Sequence, residues 1–159
     1  MTTEDLASIF VGSEKLMAFY GGWPSFHDAE IVELHFWRGY LYPGDWDDRN
    51  VFPVLTLRIL VLQATQPGAN ATRRDVLVKL RFFDVEEVRL DGFNNENAIV
   101  GLSVATQPRG QFVSGEPLLP SLVVTLSNGF GLQGSFRCMR AEVVSAEWAP
   151  DGSTGEPRP

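Results

Sequence analysis

With one cysteine in 159 residues, Cys138, no intramolecular disulfide can form, and a zinc site built on several thiolates is excluded. Histidine is nearly as scarce: only His27 and His35 are present, and carboxylates would have to complete any metal-ligand set. Cationic excess is also missing. Thirteen Lys and Arg against 20 Asp and Glu leave a net charge of -7, which argues against the basic stripe that displaces counterions from nucleic-acid phosphates. No apolar run approaches the roughly 20 residues of a membrane span, and the opening residues Met1, Thr2, Thr3, Glu4 and Asp5 carry no basic n-region. The expectation is a cytoplasmic chain with neither a secretory signal nor a membrane partner. There is no internal repeat, glycine-rich phosphate loop, nucleophile elbow or catalytic carboxylate pair on a recognisable support.

What remains is ordinary globular material, 44% hydrophobic and 21% charged, in a chain long enough for one sizeable core. One domain is expected over 1–148, followed by a disordered tail, 149–159, rich in Pro, Gly and polar residues. The acidic surface suits a basic partner as well as solubility.

The densest chemistry lies at 23–30, where Trp23, Pro24, Ser25, Phe26, His27, Asp28, Ala29 and Glu30 follow a Gly-Gly pair. Pro24 fixes its own φ and makes Trp23 extended, so the preceding helix has to stop near Gly21. Ser25 and Asp28 are placed to accept backbone N–H groups two or three residues on, and Trp23 and Phe26 to pin the turn to a core. Two readings stand side by side. In one, His27, Asp28 and Glu30 form an acid/base or metal cluster; in the other, which is preferred, His27 and Asp28 satisfy buried backbone groups at a strand entrance.

Around this junction the pattern is mainly that of strands. Ser13 and Gly21 bracket a short helix presenting Leu16, Phe19 and Tyr20, and a preceding helical turn over 4–10 would face Leu6, Ile9 and Phe10 inward. A strand over 31–38 should bury Val32, Leu34 and Phe36, with His35 on the polar side. Residues 54–62 and 76–82 alternate as antiparallel neighbours, residues 84–87 make a bulge or bend, and a strand over 99–106 should turn Val100, Leu102 and Val104 inward. Residues 107–120, with three prolines and two glycines, read as a mobile loop. For the next hairpin a three-residue turn, Ser127, Asn128 and Gly129, would pair Leu126 with Phe130 and Val124 with Leu132. A last strand covers 141–148. The expected fold class is therefore mainly β (α+β), an antiparallel sheet or sandwich of about seven or eight strands with a short N-terminal helix.

Three stretches carry a resemblance: 23–30; 80–85, leading to Asp91, Gly92, Phe93 and Asn94 with Asn97, Ala98 and Ile99 after them; and 131–138, which contains Gly134 and Phe136. With them the chain, over about 13–147, resembles the immunity protein 50 family of bacterial polymorphic-toxin systems. The resemblance implies an intracellular antidote that binds and neutralises a cognate toxin domain, with no chemistry of its own; the expectation of no metal and no cofactor rests on the two isolated histidines and single cysteine. The resemblance also implies that the shared residues Trp23, Pro24, Ser25, Phe26, His27, Asp28, Glu30, Phe93, Asn94, Asn97, Gly134 and Phe136 hold the fold.

Partner contacts are then expected in divergent loops such as 45–50 and 107–120. Asp45, Trp46, Asp47 and Asp48 lead, supported by Glu86 and Glu87, because an aromatic among carboxylates complements the basic surface of a nuclease-like toxin. Trp46 folding back onto the core is an equal alternative. The competing functional classes are a small-ligand module with a pocket lined by Trp23, Phe26, Phe36 and Phe136, and a hydrolase or metal enzyme using His27, Asp28 and Glu30.

Overall fold

The strongest alternation in the chain makes the centre of the fold. In the computed structural model, which describes residues 3–39, 52–66, 68 and 72–150, strand β3 (Val54–Gln66) buries Leu55, Leu57, Ile59 and Val61. Strand β4 (Thr72–Phe83) buries Val76, Val78, Leu80 and Phe82 opposite them, with Leu57 beside Leu80 and Ile59 beside Val78. Before them come helix α1 (Thr3–Ile9), the two-residue strand β1 (Phe10–Val11), helix α2 (Glu14–Tyr20) and strand β2 (Glu30–Trp37). After them come β5 (Glu86–Asp91), β6 (Ile99–Gln107), β7 (Ser121–Asn128), β8 (Gln133–Cys138) and β9 (Arg140–Trp148).

The fold is mainly β, with nine strands among the described residues. One sheet has the order β1-β9-β4-β3-β2, the other β5-β8-β7-β6, and every pairing is antiparallel except β1 with β9. Their inner faces share one hydrophobic core in which Phe82 and Phe136 meet edge to face at 4.9 Å, linking the two sheets. A corner is stitched by the chain itself: Asp28 N–H donates to Ile99 O, Ile99 N–H to Ala29 O and Ile31 N–H to Asn97 O, at 2.9, 2.9 and 3.0 Å.

Helix α2 ends as its sequence requires. Gly21 is left-handed, and its N–H returns to Met17 O, whereas Ser13 has helical dihedrals and makes no side-chain cap. Leu16 is buried, Phe19 meets Trp148 edge to face at 4.8 Å, and the Tyr20 hydroxyl donates to Val61 O at 3.1 Å. Burial, with Asp75 adding a smaller like-signed effect, pushes the Tyr20 phenol above its ordinary pKa, so it stays a donor.

Three strand expectations are corrected. In β2, Ile31 is buried while Val32 and Phe36 are exposed, because a bulge between Ile31 and Glu33 changes the phase and an edge strand has one neighbour to cover it. A register shift between Ile99 and Gly101 likewise turns Val100 outward while Ile99, Leu102 and Val104 go in. The hairpin from β7 to β8 pairs Leu126 with Gly134 and Val124 with Phe136, four residues away from the expected register. Its connection is longer because Phe130 N–H bonds to Ala98 O, which leaves the Phe130 side chain exposed and delivers Leu132 to the core.

Backbone order continues to Ala149, whose N–H donates to Asp75 O and whose carbonyl accepts from Arg74 Nε and Nη2 at 3.0 and 2.6 Å. Residues 151–159 of the expected tail lie outside the described residues.

Candidate partner-binding surface

The 23–30 stretch divides sharply between inside and outside. Trp23 stacks on Phe10 at 4.8 Å and tilts against Phe26 at 5.8 Å; both rings and Pro24 are buried. Ser25 Oγ accepts the His27 N–H at 3.2 Å, an ST-turn that closes the junction as its sequence predicted. His27 and Asp28 behave otherwise. Their side chains are 61% and 68% exposed and meet each other, Nδ1 to Oδ2, at 3.0 Å, so neither satisfies a buried backbone group. What the turn takes from Asp28 is backbone: φ of +62° and an N–H that bonds Ile99 O. Glu30 lies half-buried in β2, and among the described residues no group of three His, Cys, Asp or Glu side chains is arranged to hold a metal. The aromatic pocket is corrected too: Trp23, Phe26 and Phe136 are packed in the core and Phe36 is an exposed edge residue, so these four line no common cavity.

A second part of the signature closes the same end of the sandwich. The buried Asn97 amide uses its full hydrogen-bonding capacity: Oδ1 accepts Asn94 N–H at 2.9 Å and Leu132 N–H at 3.2 Å, and Nδ2 donates to Asn94 O at 2.6 Å and Ile31 O at 3.3 Å. One side chain thereby ties three loops and strands together. The close approach needs glycine at 131, where φ is +74° and a Cβ would strike Asn97 Oδ1 at 2.5 Å. Gly134, at φ +128°, is equally constrained, since its Cβ would collide with Arg89 O. Phe93 is exposed.

The opposite end carries the loops. There β2 ends at Trp37, β3 begins at Val54, β4 passes to β5 through Asp84 and Val85, β6 passes to β7 through 108–120, and Met139 separates β8 from β9. Asp45, Trp46, Asp47 and Asp48 lie outside the described residues; the described chain stops at Gly39 and resumes at Phe52, beside this end. Glu86 and Glu87 are here, solvent-exposed, both bonded to the Arg137 guanidinium at 2.7 and 3.1 Å. A cleft of about 520 Å³ is lined by Phe52, Pro53, Val85 and Met139 together with Asp84, Glu86 and Arg109. Partial burial raises the Asp84 carboxyl above its usual range, against the smaller opposing pull of Arg140 and Arg109. Arg140 is itself stacked 4.1 Å over the Phe83 ring.

Residues 107–120 are a built hairpin. Gln111 bridges Pro117, Phe112 N–H bonds Glu116 O at 2.8 Å, Gly115 N–H bonds Phe112 O at 2.9 Å and Leu118 N–H bonds Gly110 O at 2.9 Å. Its tip presents Phe112 and Val113, 55% and 110% exposed. Sequence reasoning singled out the segment and missed these two residues; the available signal was an apolar pair inside a frame of glycines and prolines, the composition of a tight turn with an apolar apex.

Set against known proteins, residues 12–148 match the family described as Immunity protein 50. No curated protein and no solved structure matches the chain.

Proposed function

The chain belongs to the immunity protein 50 family, and from that membership we propose that it is an antidote which neutralises a cognate toxin domain by stoichiometric binding. The observation that carries the reading is the extent of the family match, which runs from helix α2 through strand β9 and leaves out only α1 and β1 among the described elements. The protein performs no reaction of its own; protection comes from covering the toxin. The antidote works in the cytoplasm, where its single buried thiol suits a reducing compartment.

The loop-bearing end is the binding surface. Connecting loops tolerate sequence change while the strands beneath them hold the core, so one scaffold can follow different partners. Asp45, Asp47 and Asp48 meet a basic, nuclease-like surface and Trp46 supplies desolvated contact area, while Glu86 and Glu87 add to the rim. Because these two carboxylates share one guanidinium, their group keeps an excess negative charge while Arg137 holds it in place.

The test is titration calorimetry against the toxic domain encoded directly upstream, together with an assay of that domain's activity. A one-to-one complex that abolishes activity is expected. Full toxin activity at saturating antidote, or no heat of binding, removes the proposal.

A further inference from the structure

The 108–118 hairpin is the most exposed apolar feature of the described residues that is also internally bonded. Three backbone hydrogen bonds and the Gln111 to Pro117 bridge fix its arms, and Ser121 Oγ donates to Gln107 O at its base. Gly110 and Gly115 take the left-handed φ values of +98° and +88° that the turn requires, and Pro108, Pro117 and Pro120 remove further backbone freedom. The Gly115 to Phe112 hydrogen bond closes a four-residue turn with Val113 at its first central position, which sends this side chain to the apex. An apex valine that is fully exposed has no role in the core. Arg109 and Glu116 balance each other, so the finger is electrically neutral within an acidic protein.

We infer that this hairpin is a preformed finger which enters an apolar-lined cleft on the toxin domain, with Phe112 and Val113 as its anchors. The inference rests on the antidote reading and gives it a mode of contact. A rigid projection loses little conformational freedom on insertion, which favours affinity and slow dissociation. Its neutrality means that shape and apolar contact, rather than charge, select the receiving site. A second copy of this chain is a poor occupant: two tips meeting head-on would cover little more than two pairs of side chains, far short of the roughly 800 Å² per partner of a stable interface.

The experiment uses the full chain and the toxic domain encoded directly upstream. The double variant F112S/V113S should melt at the wild-type temperature, because both side chains are exposed, yet bind about 30-fold or more weakly, mainly through faster dissociation. A photo-crosslinking benzophenone at position 113 should label residues that line a concavity of the toxin. Wild-type binding with an unchanged double variant overturns the finger and leaves the antidote reading standing, and labels confined to a convex toxin surface overturn the insertion. Absence of wild-type binding removes the antidote reading and the finger with it. Sedimentation of the antidote alone as a dimer that F112S/V113S dissolves, with toxin binding intact, assigns the tip to a second copy and rejects the inference.

Discussion

At the scale of single residues, the signature is mostly a set of positions where one atom or one dihedral angle is irreplaceable. Asn97 is the clearest. Its replacement by Ala would orphan two N–H groups and two carbonyls, in two buried and two part-buried hydrogen bonds, and each such loss costs about 1–3 kcal/mol when the group is buried. Urea unfolding should therefore show Asn97→Ala destabilised by about 3 kcal/mol or more. Asp28 makes a different case, because its contact with His27 is exposed to solvent and belongs to the class of surface polar pairs worth about 0–1 kcal/mol. Its left-handed backbone is the constraint, so Asp28→Ala should cost about 1 kcal/mol while Asp28→Gly and His27→Ala stay within about 0.5 kcal/mol. A large loss for His27→Ala in the same unfolding series would return the pair to a structural role. Cys138 shows burial acting on chemistry: desolvation pushes its thiol up to about 12, which keeps it protonated and unreactive inside the core.

At the scale of elements, the crossover from β4 to β5 joins the two sheets and lines the cleft at once. Val85 is its apolar pin, with an N–H that bonds Pro53 O, while Asp84 and Glu87 take left-handed φ values of +55° and +52°. The Asp84 pKa is raised in the folded protein, mainly by desolvation, so folding favours its protonated form. The resulting penalty is fully present above the folded pKa, shrinks as pH falls through it, and vanishes below the unfolded value. Asp84→Asn should accordingly raise the urea midpoint at pH 7, by an amount that solvent screening keeps modest, and the gain should fade as pH is lowered through the carboxylate range. A gain that persisted unchanged at acidic pH would assign the effect to something other than ionisation. Bulges in β2 and β6 do comparable work by shifting phase within a strand, which turns Val32 and Val100 to solvent while Ile31 and Ile99 remain in the core.

At the scale of the whole molecule, a net charge of -7 sets the strength with which the basic partner proposed above would be attracted, and ionic strength sets the range. Steering of this kind weakens once the Debye length contracts to about 8 Å at physiological salt. Toxin association should slow as salt rises, and D47N/D48N should flatten that dependence while changing dissociation little; stopped-flow rates at several salt concentrations measure both. The sequence by itself determined the mainly β class, the β3 and β4 pair, helix α2 with its Gly21 end and the membership of Trp23 and Phe26 in a core, because period-two alternation and turn chemistry are local and leave a direct trace. Tertiary structure alone decided the rest. The β7 to β8 register depends on Phe130 reaching Ala98, a contact from another strand, and the exposure of Val32, Phe36 and Val100 depends on bulges and edges that a period cannot encode. Gly131 and Gly134 acquire their necessity only where Asn97 and the Arg89 carbonyl approach them. Residues 107–120 look like slack in the sequence and become a hairpin because hydrogen bonds across the turn satisfy its backbone, leaving Phe112 and Val113 with no core to enter.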